Sequence, residues 1–360
     1  MKLAHRVSDI QPFHVMALLA RAKHLQSQGY DVIHLEVGEP DFDTPAPIIA
    51  AGIEALKQGK THYTPATGLP ILREVIARYY GERFDLDIAP ERIVVTPGAS
   101  GGLGLVTAAL FNPTDRVMLA DPGYPCNSNF LHLIGARPQW VQTGVETRFQ
   151  LTAELAERHW KDDTAGALVA SPSNPTGTLL SLEELRDLHE VTRERDGALL
   201  VDEIYQGLTY DCESATALAL PHANEDIVVI NSFSKYFGMT GWRLGWIVAP
   251  EALVPALDKL AQNFYLAAPT PSQYAALAAF TPESMALLEM RRNELHARRN
   301  YLLQALPALG FKVPVAPEGA FYIYCDVSGL TADSFEFCAQ LLEKAYVAVT
   351  PGKDFGHQGA

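Results

Sequence analysis

Lys235 stands in the stretch NSFSKYFGMTGWRLGW, directly after an apolar run, with Phe233, Tyr236, Phe237 and Trp242 around it. Aromatic surroundings strip water from an ammonium and lower its pKa, and a lysine so placed can form a Schiff base with an aldehyde-bearing cofactor. Its plainer reading is a solvated loop lysine. Asp202 closes GALLVDEIY. A carboxylate at the end of a buried strand is costly unless a cation pairs with it. A protonated pyridine nitrogen is a suitable cation, and the pairing would make the ring a better electron sink; a helix N-cap and a metal ligand are the alternatives. Tyr205, three residues on, either turns its hydroxyl to a phenolic oxygen of the same ligand or packs as an amphipathic core tyrosine. Asn174, in ASPSNPTGT, is a turn residue restrained by the proline after it or an amide for a ring hydroxyl. Tyr124, in DPGYP, offers a ring face for stacking or joins the core.

Arg243 follows Lys235 by eight residues and Ser232 precedes it by three. An arginine and a hydroxyl beside a glycine-rich turn at a helix start suit a phosphate. The turn is Gly98-Ala99-Ser100-Gly101-Gly102, opening a helix that continues LGLVTAAL. It does not make a dinucleotide fingerprint, because no acidic residue closes a second strand at the expected distance.

These residues need elements that bring them together. The apolar runs RIVVTPG, DRVMLADPGYP, GALVASPSNPTG, GALLVDEIY, DIVVINSFSK and RLGWIVAP alternate with helical patterns. One such helix, over residues 182–195, opens with the capping box Ser181-x-x-Glu184. Continuous apolar strands alternating with helices predict an α/β fold with a sheet covered on both faces. The polar residues fall where the apolar runs end, and in such sheets ligands bind beyond the carboxyl ends of the strands. After Pro282 the pattern changes to a long charged helix over 283–305, then GFKVPVAPEGAFYIYCDV with strand character, then another helix and strand. We expect a large domain over 45–282 and a smaller α+β domain made of 1–44 together with 283–360.

The chain has 360 residues, 28 basic and 42 acidic, for a formal charge of -14. An acidic surface disfavours nucleic acid and anionic membranes as partners. Cys126, Cys212, Cys325 and Cys338 form no C-x-x-C pair and suggest neither a metal site nor a disulfide framework. With no secretory pattern at the start and no long apolar run, a soluble cytoplasmic protein is expected.

Taken together, SPSNPTG, VDEIY and SFSKYFGMTGWRLG, in this order and at these separations, resemble the class I/II aminotransferases of fold type I, the aspartate-aminotransferase superfamily. The similarity runs from VGEPDFDTP to the last residues. It implies pyridoxal 5'-phosphate as cofactor and ping-pong transfer of an amino group to a 2-oxo acid. Lys235 resembles the Schiff-base lysine that also shuttles the proton, Asp202 the partner of the pyridine nitrogen, and Tyr205 with Asn174 the pair on the ring oxygen. Tyr124 resembles the stacking aromatic. Ala99, Ser100, Ser232 and Arg243 resemble the phosphate cup. Tyr63, in HYTPATG, resembles the tyrosine that reaches the phosphate of the neighbouring subunit, which implies a homodimer. Gly38, with Asn174, resembles the substrate-binding positions. Some relatives carry a basic residue at the position of Ser100 to read a side-chain carboxylate, so neutral or aromatic amino acids are favoured over aspartate.

The sequence departs from the family in one respect. The arginine that forks onto the substrate carboxylate shortly after a segment like TPGKDFG does not occur before Ala360. The same scaffold also supports a C–S lyase or a cyclopropane-carboxylate synthase. A non-catalytic sensor would need a DNA-binding module, for which the segment before VGEPDFDTP is too short.

Overall fold

The computed structural model describes residues 1–10 and 14–357. Its strands are β1 (Ile33–His34), β2 (Ile93–Thr96), β3 (Arg116–Asp121), β4 (Arg137–Gln142), β5 (Thr164–Ala170), β6 (Ala198–Asp202), β7 (Ile227–Ser232), β8 (Gly245–Val248) and β9 (Val347–Ala348). Seven of them form one sheet in the order β2-β8-β7-β6-β5-β3-β4. All neighbours are parallel except β8, which runs antiparallel to both β2 and β7.

The near-continuous apolar strands follow from that placement. Period-two alternation splits each strand between two buried faces. Val95, Val169, Val201 and Trp246 pack on one side, with Ile76, Tyr80 and Phe233. Their neighbours Val94, Leu168, Leu200 and Ile247 pack on the other, with Leu105 and Val106 of the helix Gly98–Leu110. Each fully buried Val, Leu or Ile contributes about 1.5–3 kcal/mol. The helix Leu182–Arg193 has the capping box read from its sequence: Glu184 N donates to Ser181 Oγ at 3.1 Å and Ser181 N to Glu184 Oε2 at 2.8 Å.

A third, smaller core joins the two chain ends. Ala22 and Leu25 of the helix His14–Ser27 meet Val32, Leu342 of the helix Ser334–Ala345, and Ala348. β1 pairs in parallel with β9. The long charged helix spans Pro282–Ala305, with the Thr281 hydroxyl accepting from Ser284 N at 3.3 Å.

The strand expected in GFKVPVAPEGAFYIYCDV does not form. Only isolated bridges occur there, Thr209 with Gly319 and Lys312 with Asp326. Pro314 and Pro317 lack the amide a ladder needs, and Gly319 sits with Pro172 where its own side chain would be, 2.6 Å from a Cβ position. The segment crosses over the sheet edge as irregular chain, which turns out to matter for the site. No helix among the described residues is long and apolar enough to cross a membrane.

Candidate active site

The register explains why separate motifs meet. Ala170 of β5 lies beside Asp202 of β6, Asp202 beside Ile230 of β7, and Gly245 of β8 beside both Ser232 and Thr96. The carboxyl ends of β2, β5, β6 and β7 are therefore level. Because β8 is reversed, its amino end lies at the same edge, and Arg243, which precedes the strand, joins residues that come after theirs.

Lys235 is half-buried, and its Nζ donates to Gly38 O at 2.5 Å. The nitrogen also lies 5.9 Å from the centre of the Tyr205 ring and 5.8 Å from that of Phe321. Loss of solvent pushes its pKa down to about 8, with Arg243 adding to the effect and Glu39 and Asp202 opposing it. Asp202 is 5% exposed, and one of its oxygens accepts Ile204 N at 3.0 Å. Burial raises its carboxyl to about 6, against the pull of that amide and of Lys235. No helix begins at Asp202, so this bond is a local turn and not an N-cap, and among the described residues the carboxylate has no hydrogen-bonded cation.

Tyr205 Oη is 2.6 Å from Tyr322 Oη, and Asn174 Nδ2 donates to Tyr322 Oη at 3.4 Å. Asn174 Oδ1 is buried and has no hydrogen-bond partner among the described residues. Tyr124, half-buried, precedes the helix Pro125–Ile134, and burial pushes its phenol upward. The loop before it is held by the C-terminal segment: Gly123 N donates to Phe355 O at 2.8 Å and His357 N to Asp121 Oδ1 at 3.1 Å. Residues 358–360, just beyond, lie outside the described residues.

On the other side of the edge, Gly98 opens its helix with φ +71°, and a Cβ there would lie 2.6 Å from Arg243 Nη2. Ala99 N follows within the same close packing, 2.8 Å from a Cβ position on Gly245. Ser232 Oγ accepts Ser234 N at 3.0 Å, Ser100 is exposed, and Arg243 is exposed with Nη1 donating to Thr240 O at 2.9 Å. Helix amides, a hydroxyl and a guanidinium in one place make an anion cradle. Substituting Gly98→Ala should displace the guanidinium and weaken anion binding at the cradle roughly tenfold, while the left-handed backbone costs only about 1 kcal/mol of stability. Titration with inorganic phosphate and a melting curve on the same sample check both parts.

Two features were not legible in the sequence. Tyr322 and Phe321 come from the segment taken for a strand. Behind Asp202, buried Glu203 accepts Ala217 N at 2.7 Å and Gln206 Nε2 at 2.6 Å. Gln206 accepts Asn231 Nδ2 at 3.1 Å, and Asn231 accepts Ser232 N at 2.7 Å. Burial raises the Glu203 carboxyl to about 8. These bonds link the end of β6 to Ser232 at the end of β7.

The model of the family "Aminotransferase class I and II" matches residues 30–360. The chain belongs to the class I and II aminotransferases. It is 41% identical over 349 residues to the valine–pyruvate aminotransferase of Mycobacterium tuberculosis, covering 97% of this chain and 89% of that one. It is 38% identical over 357 residues to the (5-formylfuran-3-yl)methyl phosphate transaminase of Methanocaldococcus jannaschii, covering 99% and 92%. A crystal structure of an aminotransferase from Mycobacterium tuberculosis superposes with a TM-score of 0.95 at 39% identity, covering 100% of this chain and 92% of that one. The aspartate aminotransferase of Thermus thermophilus with maleate gives 0.93 at 36% identity, covering 99% and 92%.

Aminotransferases of this family use pyridoxal 5'-phosphate, and this edge fits that group. The lack of a Cβ on Gly98 lets the Arg243 guanidinium lie directly against the helix start, where backbone amides and a guanidinium together suit an anion. Asp202 is a buried carboxylate with no hydrogen-bonded cation among the described residues, which suits a protonated pyridine nitrogen, and Asn174 Nδ2 has a second N–H beyond the one that meets Tyr322.

Proposed function

We propose that this aminotransferase runs a ping-pong exchange in which Lys235 carries the cofactor, with neutral or aromatic amino acids preferred to aspartate as donors and a 2-oxo acid as acceptor. One observation carries the reading. At one strand edge a lysine is lowered to about 8 and a buried carboxyl raised to about 6, so near pH 7 a carboxylate and a readily deprotonated ammonium stand together. When bound, the cofactor supplies an aldehyde for attachment and a pyridine ring that draws electrons from the substrate's Cα. Asp202 keeps a proton on the ring nitrogen, Tyr205 and Asn174 hold the ring oxygen, and Tyr124 covers a ring face. Ser232, Arg243, Ala99 and Ser100 hold the phosphate. Lys235 Nζ, once displaced by the substrate's amine, lifts the Cα proton. Gly38, whose carbonyl receives that amine, offers its backbone to the substrate carboxylate, with Asn174 beside it.

The substrate preference is supported by the neutral, exposed Ser100 and by the Tyr205 and Phe321 rings near the lysine, with Tyr322 packed on Tyr205. A relative named for valine agrees with it. The test mixes loaded enzyme singly with a panel of amino acids and follows the cofactor's visible band. Valine or phenylalanine should react at least about tenfold faster than aspartate. A faster aspartate overturns the preference, and ammonia released without an acceptor overturns amino transfer in favour of lyase chemistry.

The active unit in this reading is a homodimer. Ile49, Ile53 and Leu56, spaced four and three apart on the helix Ala46–Lys57, are 39%, 49% and 56% exposed. Such a stripe calls for a partner surface. Arg243 borders an open concavity of about 420 Å³ shared with Thr44, Pro269 and Ser272. Tyr63 is 81% exposed, and the carbonyl of neighbouring His62 accepts Thr270 Oγ1 at 2.7 Å. A second copy would bring its Tyr63 to such a concavity. Ile53→Asp should yield monomers by sedimentation and lower cofactor affinity together; a wild-type protein sedimenting as a monomer would remove the dimer. The separate core at the chain ends supports a division into a large domain over 45–282 and a small one from 1–44 and 283–360. We assign the enzyme to the cytoplasm on its four free cysteines.

A further inference from the structure

We propose that Tyr322 is a positioning residue of the site: its hydroxyl donates to Tyr205 Oη, so that the Tyr205 proton is left for the cofactor's ring oxygen. The inference rests on the assignment of Tyr205 and Asn174 to that oxygen. It comes from the donors and acceptors around Tyr322 Oη taken together with that assignment. The side-chain amide of Asn174 has only N–H groups on Nδ2, so at the 3.4 Å contact Tyr322 Oη is the acceptor. Tyr322 has one proton of its own, and its other described partner is Tyr205 Oη at 2.6 Å. One bond between two phenols spends one proton and leaves one, and the place given to Tyr205 on the ring oxygen requires that the spent proton be that of Tyr322. Tyr205 then keeps an unspent O–H and Asn174 keeps its second N–H, two donors for one ring oxygen. A hydroxyl that accepts a short hydrogen bond becomes a stronger donor itself, so the effect passes on to the ligand.

Packing fixes the geometry. The Tyr205 and Tyr322 rings meet edge to face with centres 5.4 Å apart, and the Tyr322 ring is 4.9 Å from that of Phe321. A Cβ on Gly38 would fall 2.1 Å from Tyr322 Oη, so the hydroxyl keeps its place only because that residue is glycine. The same Gly38 receives Lys235 Nζ through its carbonyl. Tyr322 thus locks the irregular C-terminal segment, the N-terminal segment and the ring-oxygen pair into one arrangement.

The test uses full-length loaded enzyme. Tyr322→Phe keeps the ring and removes only the hydroxyl. A donor on the ring oxygen favours that oxygen's charged form and eases loss of a proton from the loaded site. Tyr322→Phe should therefore raise the pH midpoint of the visible absorption band by about half a unit or more, and weaken pyridoxal phosphate binding to the cofactor-free protein roughly 3- to 10-fold. A fluorinated tyrosine at position 322, a stronger donor with the same shape, should move the midpoint down. If the wild type loads normally and both replacements leave its midpoint and affinity unchanged, the role of Tyr322 is overturned while the cofactor reading stands. A wild type that takes up no cofactor overturns both.

Discussion

Lys235→Ala will lower amino-transfer turnover by roughly 10⁴-fold or more. The loss has two sources, since the variant has neither an amine to carry the cofactor nor a base over the substrate's Cα. The fold should persist. At pH 7 the wild-type, cofactor-free protein holds an ammonium whose pKa is about 8 instead of 10.5. The unfolded chain binds the proton more tightly, so this group costs stability in full below pH 8. The cost is relieved as pH rises from about 8 to 10.5, and amounts to roughly 3 kcal/mol at neutrality. Removing the side chain removes that cost and some packing with it. The cofactor-free variant should therefore melt no lower than the wild type at pH 7. Borohydride treatment of loaded wild type should fix the cofactor on the peptide containing Lys235, and leave the variant's peptide unmodified. Near-normal turnover by Lys235→Ala would overturn its role. The rate of cofactor uptake by wild type should rise with pH and level off above about 8, as the neutral amine becomes the main form.

Asp202→Asn is expected to reduce kcat by roughly 10²- to 10³-fold while making the cofactor-free protein more stable at pH 7. The two effects share a cause. The Asp202 carboxyl is raised to about 6 from 3.8, so the folded state binds the proton more tightly than the unfolded one. Its contribution is intact below about pH 4 and lost progressively between about pH 4 and 6, which leaves a cost near 3 kcal/mol above that window. Asparagine keeps the shape and avoids the cost, but offers no charge to hold a proton on the pyridine nitrogen. The stability gain should vanish when melting is compared below pH 4. Activity within threefold of wild type would sink the assignment.

The central sheet was readable because its strands are buried on both faces, so the apolar continuity of each run and the polar residues at its end carry the topology. Lys235, Asp202 and Asn174 follow apolar runs and Arg243 precedes one, and polar chemistry at the margin of a core is what marks them as candidates. The reversed direction of β8 left no local mark in RLGWIVAP, since a buried strand looks alike in either orientation. Tyr322 was hidden for a different reason. In GAFYIYCDV the alternation of aromatic and aliphatic residues imitates a strand, and only its long-range contact with Tyr205, Asn174 and Gly38 reveals another purpose. Glu203 was read as part of VDEIY without a task of its own, because a buried network is decided by residues distant in sequence.

The reversal of β8 has a consequence for retention. Lys235 and Arg243 lie on one short loop whose two ends are clamped side by side in the sheet, Ser232 opposite Gly245. On the proposed roles, such a loop acts as a caliper of fixed span that grips a molecule at two ends. With a phosphate held at Arg243, Lys235 would meet the other end of the same molecule at high effective concentration, and attachment would be a local event. When Lys235 let go during a cycle, the Arg243 end of the loop would serve as a tether. On these roles the lysine would be freed at every turnover with the cofactor still held.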